Sequence, residues 1–152
     1  MGARDVLLNT LFLFFFTFLI FFLEFDVAFH ELGHWFACFL TGGYGWLEID
    51  EKGWATKCIL ERENILFYIS GILFQLFLIS ILYSFPITRG IAGIMLIRFG
   101  IHYYYGAFLV DMQKAGLMVL YSFIPRLFVL SASMTLGMVG ILHFLLLSRW
   151  GE

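Results

Sequence analysis

The sequence predicts an all-α membrane protein with about four transmembrane helices and a short extramembrane β-hairpin after the first of them. Hydrophobic residues make up 62% of the chain, charged residues only 13%, and the mean hydropathy is +0.94. This composition lies outside the usual range of soluble globular domains. The chain of 152 residues is short enough to be one domain. We therefore expect residues 1–152 to form a single membrane-embedded domain of a multi-pass protein of the cell membrane.

The first predicted element is a long helix from Val6 to Leu40, an apolar stretch with no proline and no glycine before Gly33. A helix of this length would measure about 50 Å, against roughly 30 Å for the hydrocarbon core of a bilayer. It must therefore tilt, bend or protrude. Thr41, Gly42 and Gly43 end it, and the alternating residues from Tyr44 to Ile59 predict the extramembrane hairpin.

Three further apolar stretches predict the remaining spans. They cover about Asn64 to Phe85, ending before Pro86, then Gly90 to Asp111, and finally Leu127 to Leu147. The segment between the last two contains Pro125 and is predicted to continue the third helix or to form an interfacial turn.

The charges indicate an orientation and exclude one class of partner. Five basic residues are expected on the hairpin side and three on the other, which favours a cytoplasmic hairpin. The candidate catalytic residues described below would then lie nearer the cytoplasmic face. The net charge of −2 provides no basic surface for nucleic acid.

Two cysteines, Cys38 and Cys58, are too few to indicate a disulfide framework. Cys38 lies four residues after His34, so it could face a metal, but a small buried residue is the expected role.

The pentapeptide from His30 to His34, His-Glu-Leu-Gly-His, is the sequence feature that predicts a metal site. Residues four apart lie on one helix face, so both histidines can offer a ring nitrogen to one Zn²⁺. Glu31 is then placed to take a proton from a water that the metal acidifies. The alternative is a pair of interior or pH-sensitive histidines, but three ionisable groups at bilayer depth are costly without a function.

A catalytic zinc usually has three protein ligands, and Asp111 is the expected third. It is the only acidic residue between Glu63 and Glu152 and lies at the end of an apolar stretch. The alternatives are an interfacial Asp111 paired with Lys114, or a third ligand drawn from three other residues: Glu61, Glu63 and His102. On a straight helix, His102 and Asp111 would be about 13 Å apart and could not share a metal.

With this motif late in a long apolar helix, the chain resembles the site-2 protease family of intramembrane zinc metalloproteases over roughly residues 10 to 115. Ser70-Gly71-Ile72-Leu73-Phe74-Gln75 is similar to the family's Gly-Pro-x-x-Asn stretch, with Ile72 at the proline and Gln75 at the asparagine. Asp111 matches the aspartate of the family's Asn-Pro…Asp-Gly motif, although the Asn-Pro is absent and Met112 replaces the glycine.

The resemblance implies zinc ligation by His30, His34 and Asp111, with Glu31 activating water and Gln75 hydrogen-bonding the oxyanion or the substrate backbone. An interhelical hydrogen bond is the alternative role for Gln75. The implied reaction is hydrolysis of a peptide bond in or near a transmembrane segment of another protein, as in regulated intramembrane proteolysis. The expected partners are that protein, the lipid bilayer and, as a further candidate, an accessory membrane protein.

Three other charged residues have expected roles. One turn before His30, Asp26 could accept the other N–H of that ring and fix its tautomer. Glu24 is expected on a water-lined face, and Arg98 is a candidate partner for one of these acids.

Two alternative functions remain open from the sequence. An inactive relative that binds membrane segments as a scaffold would explain the incomplete downstream motifs. A small metal transporter or sensor would explain polar groups inside the membrane.

Overall fold

The computed structural model describes residues 3–50, 53–60, 64–116, 118 and 126–146 of a mostly helical protein. The predicted hairpin is confirmed as two antiparallel strands that pair from Tyr44 with Ile59 to Asp50 with Gly53. In chain order the elements are α1 (Ala3–Phe22), α2 (Phe25–Leu40), β1 (Tyr44–Asp50), β2 (Gly53–Ile59), α3 (Ile65–Ser84), α4 (Arg89–Tyr105), α5 (Leu109–Lys114) and α6 (Arg126–Leu145).

Within the described ranges, three helices are long and apolar enough to cross a membrane: Arg4–Phe22, Ile65–Ser84 and Arg126–Leu145. About a fifth of each window is buried inside the protein, so most of their apolar side chains face outward, as lipid contact requires. The structure thus supports a membrane protein, but not clearly one with four spans. The third predicted span is the shorter α4, of 17 residues.

The predicted single helix from Val6 to Leu40 is broken into α1 and α2, so the hairpin follows the second helix rather than the first. At the break Glu24 adopts the left-handed conformation, with φ 50° and ψ 39°. Non-glycine residues rarely adopt this conformation without help from the surrounding structure. The expected bend is therefore a complete interruption of the helix at Leu23 and Glu24.

Arg98 of α4 supports this interruption. Its guanidinium donates to the carbonyl of Ile20, one of the carbonyls that the end of α1 leaves without a helical partner. The same side chain lies 3.1 Å from Asp26 and 3.6 Å from Glu24, so the expected pairing of Arg98 with these acids is confirmed. Asp26 is fully buried, and this ion pair stabilises its charge away from water.

The hairpin folds back along α2 instead of extending beyond its end. Cys58 of β2 forms a disulfide with Cys38, and the indole of Trp54, at the other end of the strand, donates to the carbonyl of Leu23 over 3.3 Å. Cys38 is buried as expected, but it is bonded rather than free. This bond was not predicted from the sequence, because the two Cα atoms come within 6.1 Å of each other only when the hairpin folds back along α2.

Helices α4 and α6 pack tightly through small residues. Gly93 of α4 faces Gly137 of α6, and Gly100 faces Ser133, so neither backbone leaves room for a larger side chain. At one end of the bundle the Asn9 amide of α1 donates to the Phe144 carbonyl of α6 over 3.1 Å. These contacts fix the helices around one apolar core.

The third predicted span, Gly90 to Asp111, also proved to be two helices. Helix α4 ends at Tyr105, and Gly106 follows with φ 84°, the left-handed conformation that glycine adopts readily at a helix C-terminus. Asp111 therefore lies on the separate helix α5, and the straight-helix estimate of its distance from His102 does not apply.

Replacing Arg98 by methionine should destabilise the fold because it leaves the buried Asp26 carboxylate without its partner. Loss of one member of a buried ion pair costs about 3–5 kcal/mol, measurable by reversible unfolding in mixed detergent micelles. Asp26→Asn combined with Arg98→Met should recover part of the loss. If Arg98→Met cost no more than Lys57→Met at an exposed position, the ion pair would not support the break.

Candidate metal centre

Three side chains from two helices converge on one point. His30 and His34 lie on the same face of α2, and Asp111 reaches them from α5. The Nε2 atoms of the two histidines are 3.0 Å apart, and the Oδ2 of Asp111 is 3.1 Å from His30 Nε2 and 3.5 Å from His34 Nε2. Both histidines are buried, and the carboxylate is partly buried. The predicted ligand set is therefore brought together.

A backbone hydrogen bond orients the ring of His34. Its Nδ1 lies 2.6 Å from the carbonyl oxygen of Phe67, which can only accept, so Nδ1 carries the hydrogen. The neutral ring then has an unprotonated Nε2 directed at the other two groups. This is the arrangement by which proteins commonly fix a metal-binding imidazole.

The donor set fits a zinc ion. With Zn–N and Zn–O distances of about 2.0–2.1 Å, ligand atoms of a tetrahedral site lie about 3.3 Å apart, close to the observed separations of 3.0–3.5 Å. When unprotonated, the two nitrogens and the carboxylate oxygen are all acceptors and would repel one another at these distances. A proton shared between them relieves this repulsion, and a metal cation could take the place of that proton. Among the described residues this is the group of His, Cys, Asp and Glu side chains that could hold a metal ion.

Two glycines let α2 and α3 approach each other at the histidine pair. A Cβ on Gly71 of α3 would lie 2.6 Å from His34 Nε2 and 2.7 Å from His30 Nε2. A Cβ on Gly33 of α2 would lie 2.6 Å from the carbonyl oxygen of Ser70. The glycines of the two sequence motifs therefore face each other, and both are required by the close approach of the helices.

A cavity of about 280 Å³ adjoins two of the three ligands and is also lined by the other predicted functional groups. Glu31, Gln75 and His102 line it together with His30 and Asp111. Gln75 is only 1% exposed, and its Oε1 has no hydrogen-bond partner among the described residues. This buried carbonyl oxygen is an acceptor that a ligand in the cavity could satisfy.

The hairpin holds Glu31, a contact that the sequence analysis missed. The backbone N–H of Thr56 donates to Oε2 of Glu31 over 2.7 Å, and the Thr56 hydroxyl donates to the Glu31 carbonyl over 2.6 Å. No signal in the sequence indicated this pair, because the contact depends on β2 folding back along α2.

The remaining candidates have other positions. His102 lines the cavity but does not join the converging ligands, and Lys114 lies over the ring of Tyr68 rather than beside Asp111. Asp26 contacts Arg98 instead of His30, whose Nδ1 has no hydrogen-bond partner within the described part of the chain. The rival ligands Glu61 and Glu63 lie outside the described residues.

Comparison with family models, with curated proteins and with solved structures found no match for this chain.

Substituting Gly71 by alanine should weaken zinc binding about 10- to 100-fold, the range typical of changes that displace ligand orientation. The added methyl group would overlap the rings of both histidines. The matched control is Ser80→Ala on the exposed face of the same helix. Competition with a chromogenic chelator measures both dissociation constants. Equal constants for the two variants would show that the close approach at Gly71 does not set the ligand geometry.

Proposed function

We propose that this protein is an intramembrane zinc metalloprotease of the site-2 protease type. It hydrolyses a peptide bond in or near a transmembrane segment of another membrane protein. The observation that carries the proposal is the convergence of His30, His34 and Asp111 beside a cavity that Glu31 and Gln75 also line. This set supplies metal ligands, a general base and an amide donor at one place, in a bundle whose outer surface is largely apolar.

Each residue has a defined role in the proposed hydrolysis. His30, His34 and Asp111 would hold the zinc ion, which would acidify a water molecule and polarise the substrate carbonyl. Glu31 accepts a proton from the attacking water and delivers it to the nitrogen of the departing amine. The Gln75 amide donates an N–H to the oxygen that becomes negatively charged during attack.

The substrate must be extended where it is cut. A helix with its side chains is about 10–12 Å wide. It is too wide to enter the cavity beside the ligands, which has a volume of about 280 Å³. A helix also hides its amide groups in internal hydrogen bonds. We therefore propose that a transmembrane segment unwinds locally before it reaches Glu31 and the ligands.

We also propose that the chain crosses the membrane in four segments. Helices α1 and α2 would form one broken span, and α3, α4 and α6 the others. The break would place the charged cluster around Arg98 inside the membrane. Such a cluster is tolerated there because each of its charges has a partner.

For the orientation, we propose that the hairpin faces an oxidising compartment rather than the cytoplasm. Disulfides persist in oxidising compartments and are rare in the cytosol, and the hairpin carries the Cys38–Cys58 bond. This departs from the orientation expected from the basic residues, which rests on a difference of five against three.

Replacing Glu31 by glutamine should lower the rate of cleavage of a reconstituted transmembrane substrate about 10²- to 10⁴-fold, the usual contribution of a general acid–base group. Zinc content should remain that of the wild type because Glu31 is not among the converging ligands. Glu48→Gln, in the hairpin and paired with Lys57, is the matched control.

Full cleavage by Glu31→Gln would contradict the proposed mechanism. Zinc binding without cleavage by the wild type would favour a scaffold, and zinc flux into proteoliposomes would favour a transporter.

A further inference from the structure

We infer that Thr56 is a positioning residue for Glu31, and that the Cys38–Cys58 disulfide holds strand β2 in the place where Thr56 can act. This inference rests on the proposed function, in which Glu31 is the general base. It assigns to the hairpin the regulation of that base.

The contact is a two-point attachment. Thr56 donates its backbone N–H to the Glu31 carboxylate and its hydroxyl to the Glu31 carbonyl. Because this N–H donates to Glu31, it is not part of the pairing with β1, where Thr56 faces Leu47. Strand β2 therefore presents one of its outward N–H groups to α2.

The attachment restricts a flexible side chain at the place where its position affects the chemistry. A glutamate side chain has several rotatable bonds, and a general base must lie within hydrogen-bond reach of the proton that it abstracts. Glu31 lines the cavity while its Oε2 is bound by Thr56. The other carboxylate oxygen, Oε1, is left to accept the proton.

Two contacts, one on each side of Thr56, hold β2 against α2. The disulfide joins Cys58, two residues after Thr56, to Cys38, and Trp54, two residues before it, donates to the carbonyl of Leu23. Gly45 of β1 leaves room for the bond, since a Cβ there would lie 2.9 Å from the Cys38 sulfur. A dithiol reductant, oxidised to its own disulfide as Cys38 and Cys58 become thiols, would remove the firmest of these attachments.

The kinetic test replaces Thr56 by proline, which removes the N–H donor at a position where the pairing with β1 does not use it. We expect kcat to fall about 10- to 100-fold because a displaced catalytic group costs that much, while KM and zinc content stay unchanged. Thr56→Val retains the N–H, so its kcat should fall less than that of Thr56→Pro. Thr56→Ser retains both donors, so its kcat should equal that of the wild type. Lys57→Ala is the control in the same strand.

Wild-type kcat in Thr56→Pro would overturn the inference, as would an equal loss in Thr56→Ser. A fall in zinc content that accounted for the whole loss in kcat would overturn it as well, because the substitution would then act on the metal centre.

A second test needs neither zinc nor substrate. In a Cys58→Ser background, the fully buried Cys38 can be alkylated only when β2 moves away from α2. Thr56→Pro should raise the alkylation rate several-fold, and Glu31→Ala should raise it less because alanine keeps the backbone carbonyl that accepts from the Thr56 hydroxyl. The double variant should match Thr56→Pro, which already removes both contacts. Unchanged rates would overturn the inference.

The alkylation rates also separate this inference from the proposed function. A wild type that binds no zinc and cleaves nothing would count against the protease. The alkylation rates would still decide whether Thr56 holds Glu31.

Discussion

The buried guanidinium of Arg98 is the interaction on which the architecture depends. A carbonyl at the end of α1 and two carboxylates at the start of α2 meet this one cation inside an apolar bundle. Without it, nothing would offset the unfavourable backbone conformation of Glu24, which costs about 1–3 kcal/mol, and Asp26 would be an isolated buried charge, which costs about 3–5 kcal/mol. Arg98 therefore makes it possible for the first apolar stretch to break, and the break lets α2 follow its own course along α3.

The candidate metal centre follows from that course. Where α2 crosses α3, Gly33 and Gly71 remove the side chains that would separate the helices, and the two histidines lie directly at this crossing. The turn at Gly106 then ends α4 early and places Asp111 on a separate helix within 3.5 Å of both rings. The candidate metal centre thus depends on three local features: the break that Arg98 supports, the close crossing at Gly33 and Gly71, and the turn at Gly106.

Local pattern predicted what depends on local spacing. Two histidines four residues apart on a helix, a hairpin after Gly42 and Gly43, and a helix that ends before Pro86 all follow from rules that act within a few residues. The break at Glu24 did not, because it depends on Arg98, whose hydrogen bond to Ile20 joins residues 78 positions apart. The disulfide and the Thr56–Glu31 contact were missed for the same reason, since both require the hairpin to fold back along α2.

X-ray absorption spectroscopy at the zinc edge of the purified, zinc-loaded protein tests the central claim most directly. We expect one zinc per chain with only nitrogen and oxygen neighbours at about 2.0–2.1 Å, two of them imidazoles, because the ligands are His30, His34 and Asp111 and both cysteines are engaged in the disulfide. A spectrum without imidazole scattering, a sulfur neighbour at about 2.3 Å, or no bound zinc after supplementation would contradict the account.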